Sequence, residues 1–209
     1  MSTKDEKRQE ILKSSMQLFA RSGFRGTTTR DLATQADVNE AIIFRYFRSK
    51  TELYRAILEE KVHQGHDEHY IEVAKRAESS DPRTFLEFVG NKFLERHEQD
   101  STFMRLLLFS ALEGHELAEM FMEAMAVRDP IVSYLERQMV EGTFRRMDPY
   151  LASRAFLGML VAHIQMQEIF GQKKRVEFSR EEVVKTFVSI FLQGMRSPET
   201  SEIRQDASS

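Results

Sequence analysis

Apolar residues along the chain recur every three or four positions, and no stretch alternates for long enough to make a convincing strand. The pattern therefore predicts an all-α protein of about nine helices. The first runs from about Asp5 to Ser22, with Ile11, Ser15, Leu18 and Phe19 on one face, and Gly23 ends it at the C′ position. Thr28-Thr29-Arg30-Asp31 has the spacing of a capping box: the Thr28 hydroxyl can accept the backbone N–H of Asp31 while the Asp31 carboxylate reaches back. A short helix follows through Leu32, Ala33 and Ala36. Asp37-Val38 forms a turn with Val38 pointing inward, and Asn39 caps a second short helix, Glu40 to Phe47. Ile43 and Phe47, at i and i+4, make its buried side and leave Glu40, Ala41, Ile42, Arg45 and Tyr46 outside. Ser49-Lys50-Thr51-Glu52 is a second capping box. It opens a long helix through Leu53, Ile57 and Val62 that reaches as far as Glu78 unless Gly65 bends it.

Further along, Asp81 at the N-cap and Pro82 at the first helical position start a helix in which Phe85, Phe88, Val89, Lys92 and Phe93 share one stripe. Helices are expected over Ser101–Glu113, His115–Met125 and Asp129–Glu141, where Asp129-Pro130 either starts the last or kinks a longer one. Gly142 closes that element. Asp148-Pro149 starts the next, running to about Phe170 before Gly171, and the last helix, Ser179 to Met195, opens on the capping box Ser179-Arg180-Glu181-Glu182. Ser197 to Ser209, polar and interrupted by Pro198, reads as a flexible tail. The expected organisation is a three-helix domain at 1–48, a larger helical domain at 49–196 and the tail at 197–209.

Two short capped helices joined by a tight turn form a helix-turn-helix pattern, and the side chains left outside the second are unusual for a solvated helix. Ala41 and Ile42 stand near its N-terminus, where a recognition helix meets base edges. Small and apolar side chains there suit thymine methyls, and Arg45 can reach a guanine or a phosphate. Asn39 joins the base-facing group, while Thr28, Tyr46 and Lys50 suit backbone phosphates and set the register. Thr29, Arg30 and Phe44 complete the candidate DNA-binding set. Glu40 is the awkward member, because a carboxylate beside phosphates must contact a cytosine amine or lose affinity.

The segment from Arg8 to Leu53 resembles the N-terminal domain of the TetR family of bacterial transcriptional regulators. The matching residues are Arg8, Ile11, Leu12, Leu18, Phe19, Gly23, Phe24, Thr27, Thr28, Leu32, Ala33, Ala36, Val38, Phe44, Tyr46, Phe47, Lys50 and Leu53, and the segment they span covers about a quarter of the chain. The remainder agrees in length and helical character. Against the usual family pattern, Asp37 stands in place of the turn glycine, Ala41 in place of a frequent glycine, and Phe44 in place of a tyrosine, which removes one phosphate-reaching hydroxyl. Asp tolerates the left-handed backbone that such a turn requires. The resemblance implies a transcriptional regulator, most often a repressor, that binds a double-stranded DNA operator as a homodimer and is released by a small-molecule effector held in the C-terminal domain.

Composition fits this picture. The 209 residues are 41 % hydrophobic, enough for a sizeable core, and there is no run of about 18 apolar residues to span a membrane. The start, MSTKDEKRQE, lacks the apolar core of a signal peptide, and with no Cys there is neither a disulfide framework nor a thiolate site, so a cytoplasmic protein is expected. The net charge of −3 argues at first against a nucleic-acid binder. Its distribution reverses that: residues 1–55 carry eleven Lys/Arg against seven Asp/Glu, whereas the rest carries nineteen against twenty-six.

Most of the Phe and Met residues fall after Ser80, and Met adapts to irregular space, which suits a pocket for apolar or amphipathic ligands as well as an ordinary core. Given the resemblance, the candidate lining residues are Phe93, Phe103, Leu107, Phe121, Met125, Phe156, Met159 and His163. His163 either orients a polar ligand group or is a core histidine bonded to a backbone carbonyl. His63, His66 and His69 follow an H-x2-H-x2-H pattern, but their rings spread over about 120° of a helix, so a solvated face is the better reading and no metal is assigned. Ala152, Ala155, Gly158 and Ala162 line one side of the penultimate helix, and Val183, Val184, Phe187, Val188, Ile190, Phe191 and Gly194 make the last helix apolar on more than one face. That excess predicts a symmetric dimer through a four-helix bundle. No nucleophile motif, Gly-rich phosphate loop or H-E-x-x-H pattern supports an enzyme, and no cofactor is expected. The remaining alternative is a helical adaptor or ligand-binding protein without DNA binding.

Overall fold

The computed structural model describes residues 3–66, 68–116, 118–120, 123 and 130–196, without the side chains of residues 3 and 62–70. The expected tail, the pocket candidates Phe121 and Met125, and the side chains of His63, His66 and His69 lie outside this set. The helices are α1 (Thr3–Ser22), α2 (Thr29–Gln35), α3 (Glu40–Tyr46), α4 (Lys50–His66), α5 (Glu68–Ser79), α6 (Pro82–Gln99), α7 (Thr102–Leu112), α8 (Pro130–Val140), α9 (Pro149–Ile164) and α10 (Arg180–Met195). The fold is all-α. Among the described residues the only extended pairing is a single antiparallel bridge between Phe144 and Arg196.

The expected starts are made by the expected caps. Asp81 Oδ1 accepts the N–H groups of Arg83 and Thr84, Asp148 Oδ1 accepts that of Leu151 at 2.9 Å, and Ser179 and Glu182 close a capping box. Helix is described from Lys50 to His66 and from Glu68 to Ser79. One boundary differs from the pattern. The penultimate helix does reach Phe170, but Gln165–Ile169 wind as a π-turn before Gly171 takes φ 72°. Ile164 and Gln167 are both buried there.

The chain forms two compact units, the first from residues within 1–68 and 100–128, the second from residues within 69–99 and 129–209. In the first, α1 packs on α2, α4 and α7, and α2 on α3. Ile11, Phe19, Leu32, Ile43 and Phe47 share its core with Leu53, Tyr54 and Ile57 of α4 and Leu106 of α7. The first three helices therefore do not bury their apolar faces alone, as expected for so small a set of helices. In the second unit α6 packs on α9 and α10, and α9 on α8. Phe85 stacks on Tyr134 with centroids 4.0 Å apart, the Tyr134 hydroxyl donates to the Ser80 carbonyl at 3.0 Å, and Phe156 meets Phe191 at 5.3 Å. Gly90 lets α6 and α10 approach: a Cβ there would lie 3.3 Å from Cγ1 of Val184.

Candidate nucleic-acid interface

Local chemistry fixes the α2–α3 pair at each end. Thr28 Oγ1 accepts the Asp31 N–H at 3.1 Å and the Thr28 N–H donates to Asp31 Oδ2 at 3.0 Å, closing the capping box. The Thr28 hydroxyl also donates to Asp31 Oδ2 at 2.6 Å, and this bond first, with the Thr28 N–H bond second, holds the Asp31 carboxyl below the usual carboxylate range. A depressed folded-state pKa means that this stabilisation is present above the unfolded value and is lost as pH falls through the folded one. At the other end of α2, Val38 N–H donates to the Ala33 carbonyl (3.0 Å) and Asp37 N–H to that of Thr34 (3.2 Å), a Schellman motif with Asp37 in the left-handed position at φ 51°. Asp thus does what the family's glycine usually does. Asn39 Oδ1 then accepts the Ile42 N–H at 2.9 Å and starts α3.

Ile43 and Phe47 are buried as the spacing requires, at 1 % and 2 % exposure. Ala41, Phe44 and Arg45 are exposed, with Asn39 and Glu40 beside them at the start of the helix. Ile42 and Tyr46 are only half-exposed and pack against the core, so they present part of their surface rather than all of it. The Arg45 guanidinium lies over the Tyr46 ring at 5.5 Å. Thr28 and Arg30 are exposed and Thr29 half-buried. The Thr29 hydroxyl donates to Glu40 Oε2 at 2.7 Å, which ties the start of α2 to the start of α3 and aims the carboxylate.

Lys50, expected at a backbone phosphate, also makes bonds inside the protein. Its ammonium donates to the carbonyls of Phe24 and Thr27, both at 2.8 Å, and sits 4.2 Å from the centroid of the Phe24 ring. Burial lowers its pKa, opposed by the Glu113 charge. Two of its three donors are therefore used to hold the loop before α2. The second capping box is also modified: Ser49 Oγ accepts the Glu52 N–H at 3.0 Å, but the Glu52 carboxylate accepts from Arg48 N–H (2.8 Å) instead of from Ser49. The sequence pattern missed how the loop at 23–27 is held. Thr27, 1 % exposed, donates its hydroxyl to the Gly23 carbonyl at 2.7 Å, and a Cβ on Gly26 would lie 2.2 Å from the Ser22 carbonyl oxygen.

The described pocket candidates fall in different units. Phe103 and Leu107 pack against the first core. Phe93 and Met159 pack against the second, Phe93 stacking on His97 at 4.3 Å, and Phe156 is a fully buried member of that core. His163 stands half-buried, 6.0 Å from the Phe187 ring and 6.4 Å from that of Phe178, and burial lowers its pKa. No helix among the described residues is long and apolar enough to cross a membrane.

A capped helix, a tight turn and a second capped helix with an open outer face, set on a larger helical body, define a helix-turn-helix transcriptional regulator. Residues 11–57 match the family model described as bacterial regulatory proteins, tetR family, and residues 85–194, more than half of the chain, match the AefR-like transcriptional repressor C-terminal domain. The chain belongs to the TetR family. It is similar to the uncharacterized HTH-type transcriptional regulator YvkB of Bacillus subtilis, 21 % identical over 188 residues, 90 % of this chain and 96 % of that protein. It is likewise similar to the HTH-type transcriptional repressor NicS of Pseudomonas putida, 27 % identical over 73 % of this chain and 72 % of that one. Its fold resembles that of the transcriptional regulator FadR from Bacillus subtilis, solved in complex with stearoyl-CoA, with a TM-score of 0.73 at 17 % identity over 90 % of this chain and 99 % of that one.

Proposed function

We propose that the protein is a homodimeric, ligand-responsive repressor that occupies a near-palindromic operator and leaves it when a small apolar or amphipathic effector binds. The reading rests on the outer face of α3, where small, apolar and cationic side chains stand exposed on a helix fixed at both ends. Two such helices, one per subunit, would enter major grooves about 34–36 Å apart. Residues 1–48 supply the reader and 49–196 the effector-binding and dimerisation body. A family member of the same fold holding stearoyl-CoA supports an acyl-bearing effector as the first class to try. Gel shift against genomic fragments at two salt concentrations tests the DNA claim, with affinity expected to fall steeply as salt rises. An absence of salt-dependent binding would leave the adaptor reading in its place.

Dimerisation is supported by the open faces of α9 and α10. Leu151, Ala155, Gly158, Ala162, Met166 and Phe170 recur along one side and are exposed, Leu151 by 63 % and Phe170 by 68 %. On α10, Ile190 is 56 % exposed beside Gly194. A Cβ on Gly158 or Gly194 would meet nothing within 4 Å inside the protomer. Glycine in a helix interior costs about 1 kcal/mol relative to alanine, so two glycines facing open space are best explained by a partner helix that comes close.

Glu40, aimed by Thr29, is assigned to a cytosine amine. Glu40→Gln is expected to relax a preference for cytosine at one operator position by about 1–3 kcal/mol. Selection of bound sites from random duplex DNA with both proteins checks this, and identical base preferences would remove Glu40 from readout.

A further inference from the structure

The loop that leads from α1 into the reader is gripped by a residue far away in sequence. Two successive backbone N–H groups converge on one carboxylate: Phe24 N–H donates to Glu113 Oε2 at 2.9 Å and Arg25 N–H to Glu113 Oε1 at 3.1 Å. The Arg25 guanidinium returns a bond to the Glu113 backbone carbonyl at 3.1 Å. Adjacent N–H groups of this kind form an anion-binding concavity, and an ionised acceptor makes each bond stronger than a neutral one. Gly23, at φ 72°, leaves the space the carboxylate needs, since a Cβ there would lie 2.4 Å from Glu113 Oε1.

Glu113 is itself held in place. It is the C-cap of α7, followed by Gly114 at φ 65°, and His115 N–H closes the turn on the Ser110 carbonyl at 2.9 Å. The His115 ring packs edge-on to Phe24 (4.7 Å) and to Tyr54 of α4 (5.0 Å), and burial lowers its pKa, which favours the neutral ring against these aromatic neighbours. The end of α7 therefore touches the exit of α1 and the body of α4 at once. Lys50 binds the carbonyls of the same loop, so the loop's N–H groups face an anion and its C=O groups a cation.

We propose that Glu113 is a positioning residue for DNA binding. By holding Phe24 and Arg25 it fixes the angle at which α2 leaves α1, and through α2 it sets the pose of α3. The end of α7 is thereby a control point where a shift of that helix lowers operator affinity without moving any DNA-facing side chain directly. This rests on the DNA-binding reading above. It deepens that reading by naming a route through the loop before α2, in addition to any tilt of α4.

The test compares full-length wild-type protein with Glu113→Ala and Glu113→Gln on a duplex selected by the wild type. Loss of two charge-assisted bonds in Glu113→Ala is expected to weaken binding about tenfold to a hundredfold. Glu113→Gln, which keeps one acceptor oxygen, should lose less. The slope of log affinity against log salt should stay the same, because no phosphate contact is removed. Amide exchange should accelerate at Phe24 and Arg25 but not at Ile43, a pattern that general destabilisation would not give. If Glu113→Ala does not fold, Glu113→Gln decides on the same readouts. Affinity and exchange like wild type in the variants overturn the proposal. A wild-type protein that binds no duplex overturns the DNA-binding reading, and this inference with it.

Discussion

Gly158→Trp is expected to run as a monomer and to bind its operator about a hundredfold or more weaker than wild type. The substitution is harmless within one protomer, because the space beyond Gly158 is open and the residue lies on the exposed side of α9. In the proposed dimer its effect is on the approach of the second subunit. An indole between two helices would push them apart along the face formed by Leu151, Ala155 and Ala162. Each reader then binds a half-site alone, and the gain from linking two binding events, about a hundredfold to ten-thousandfold, disappears. Light scattering at micromolar concentration gives the mass and gel shift the affinity. A Gly158→Trp protein that remained dimeric with undiminished affinity would place the interface elsewhere.

Gly26→Ala is the second large effect. The added methyl would sit 2.2 Å from the Ser22 carbonyl oxygen, a backbone atom at the end of α1 that has no rotamer to escape into. The loop must move, and with it the Thr27 hydroxyl bond to Gly23, the Lys50 bonds to Phe24 and Thr27, and the start of α2 at Thr28. Overpacking of this kind costs about 1–3 kcal/mol of stability. DNA binding should suffer more than folding does, since the α2–α3 pair is reset relative to α1. Thermal unfolding read beside gel shift separates the two: a lowered midpoint with unchanged affinity would show that the loop does not govern the reader.

Features decided within four or five residues were legible in the sequence. The caps at Thr28, Asn39, Asp81, Asp148 and Ser179 and the buried pair Ile43 and Phe47 follow from spacing alone, and the left-handed Asp37 follows from the family resemblance, in which a glycine is usual there. What was not legible depends on how distant helices dock. Ile42 and Tyr46 read as outward because one helix was considered by itself, yet neighbouring elements cover part of each. The Lys50 bonds to the carbonyls of Phe24 and Thr27 have no signal in the local sequence. Glu113 acts 89 residues away from Phe24, with no motif to join them. Phe156 shows the limit of periodicity most clearly: the pattern marks a residue as buried, as it is, but does not distinguish a cavity wall from solid core.

The internal bonding of Lys50 bears on how this protein responds to its ionic surroundings. The positive excess of the first 55 residues suggests a reader driven by phosphate neutralisation, but several of those charges already have protein partners. Lys50 bonds two carbonyls, Arg25 the Glu113 carbonyl, Arg21 the Gln35 amide oxygen and Arg55 the Glu116 carboxylate. A side chain whose donors are already bonded within the fold has fewer left for phosphate oxygens. The salt slope of binding to duplex DNA is therefore expected to be shallower than eleven basic residues would imply.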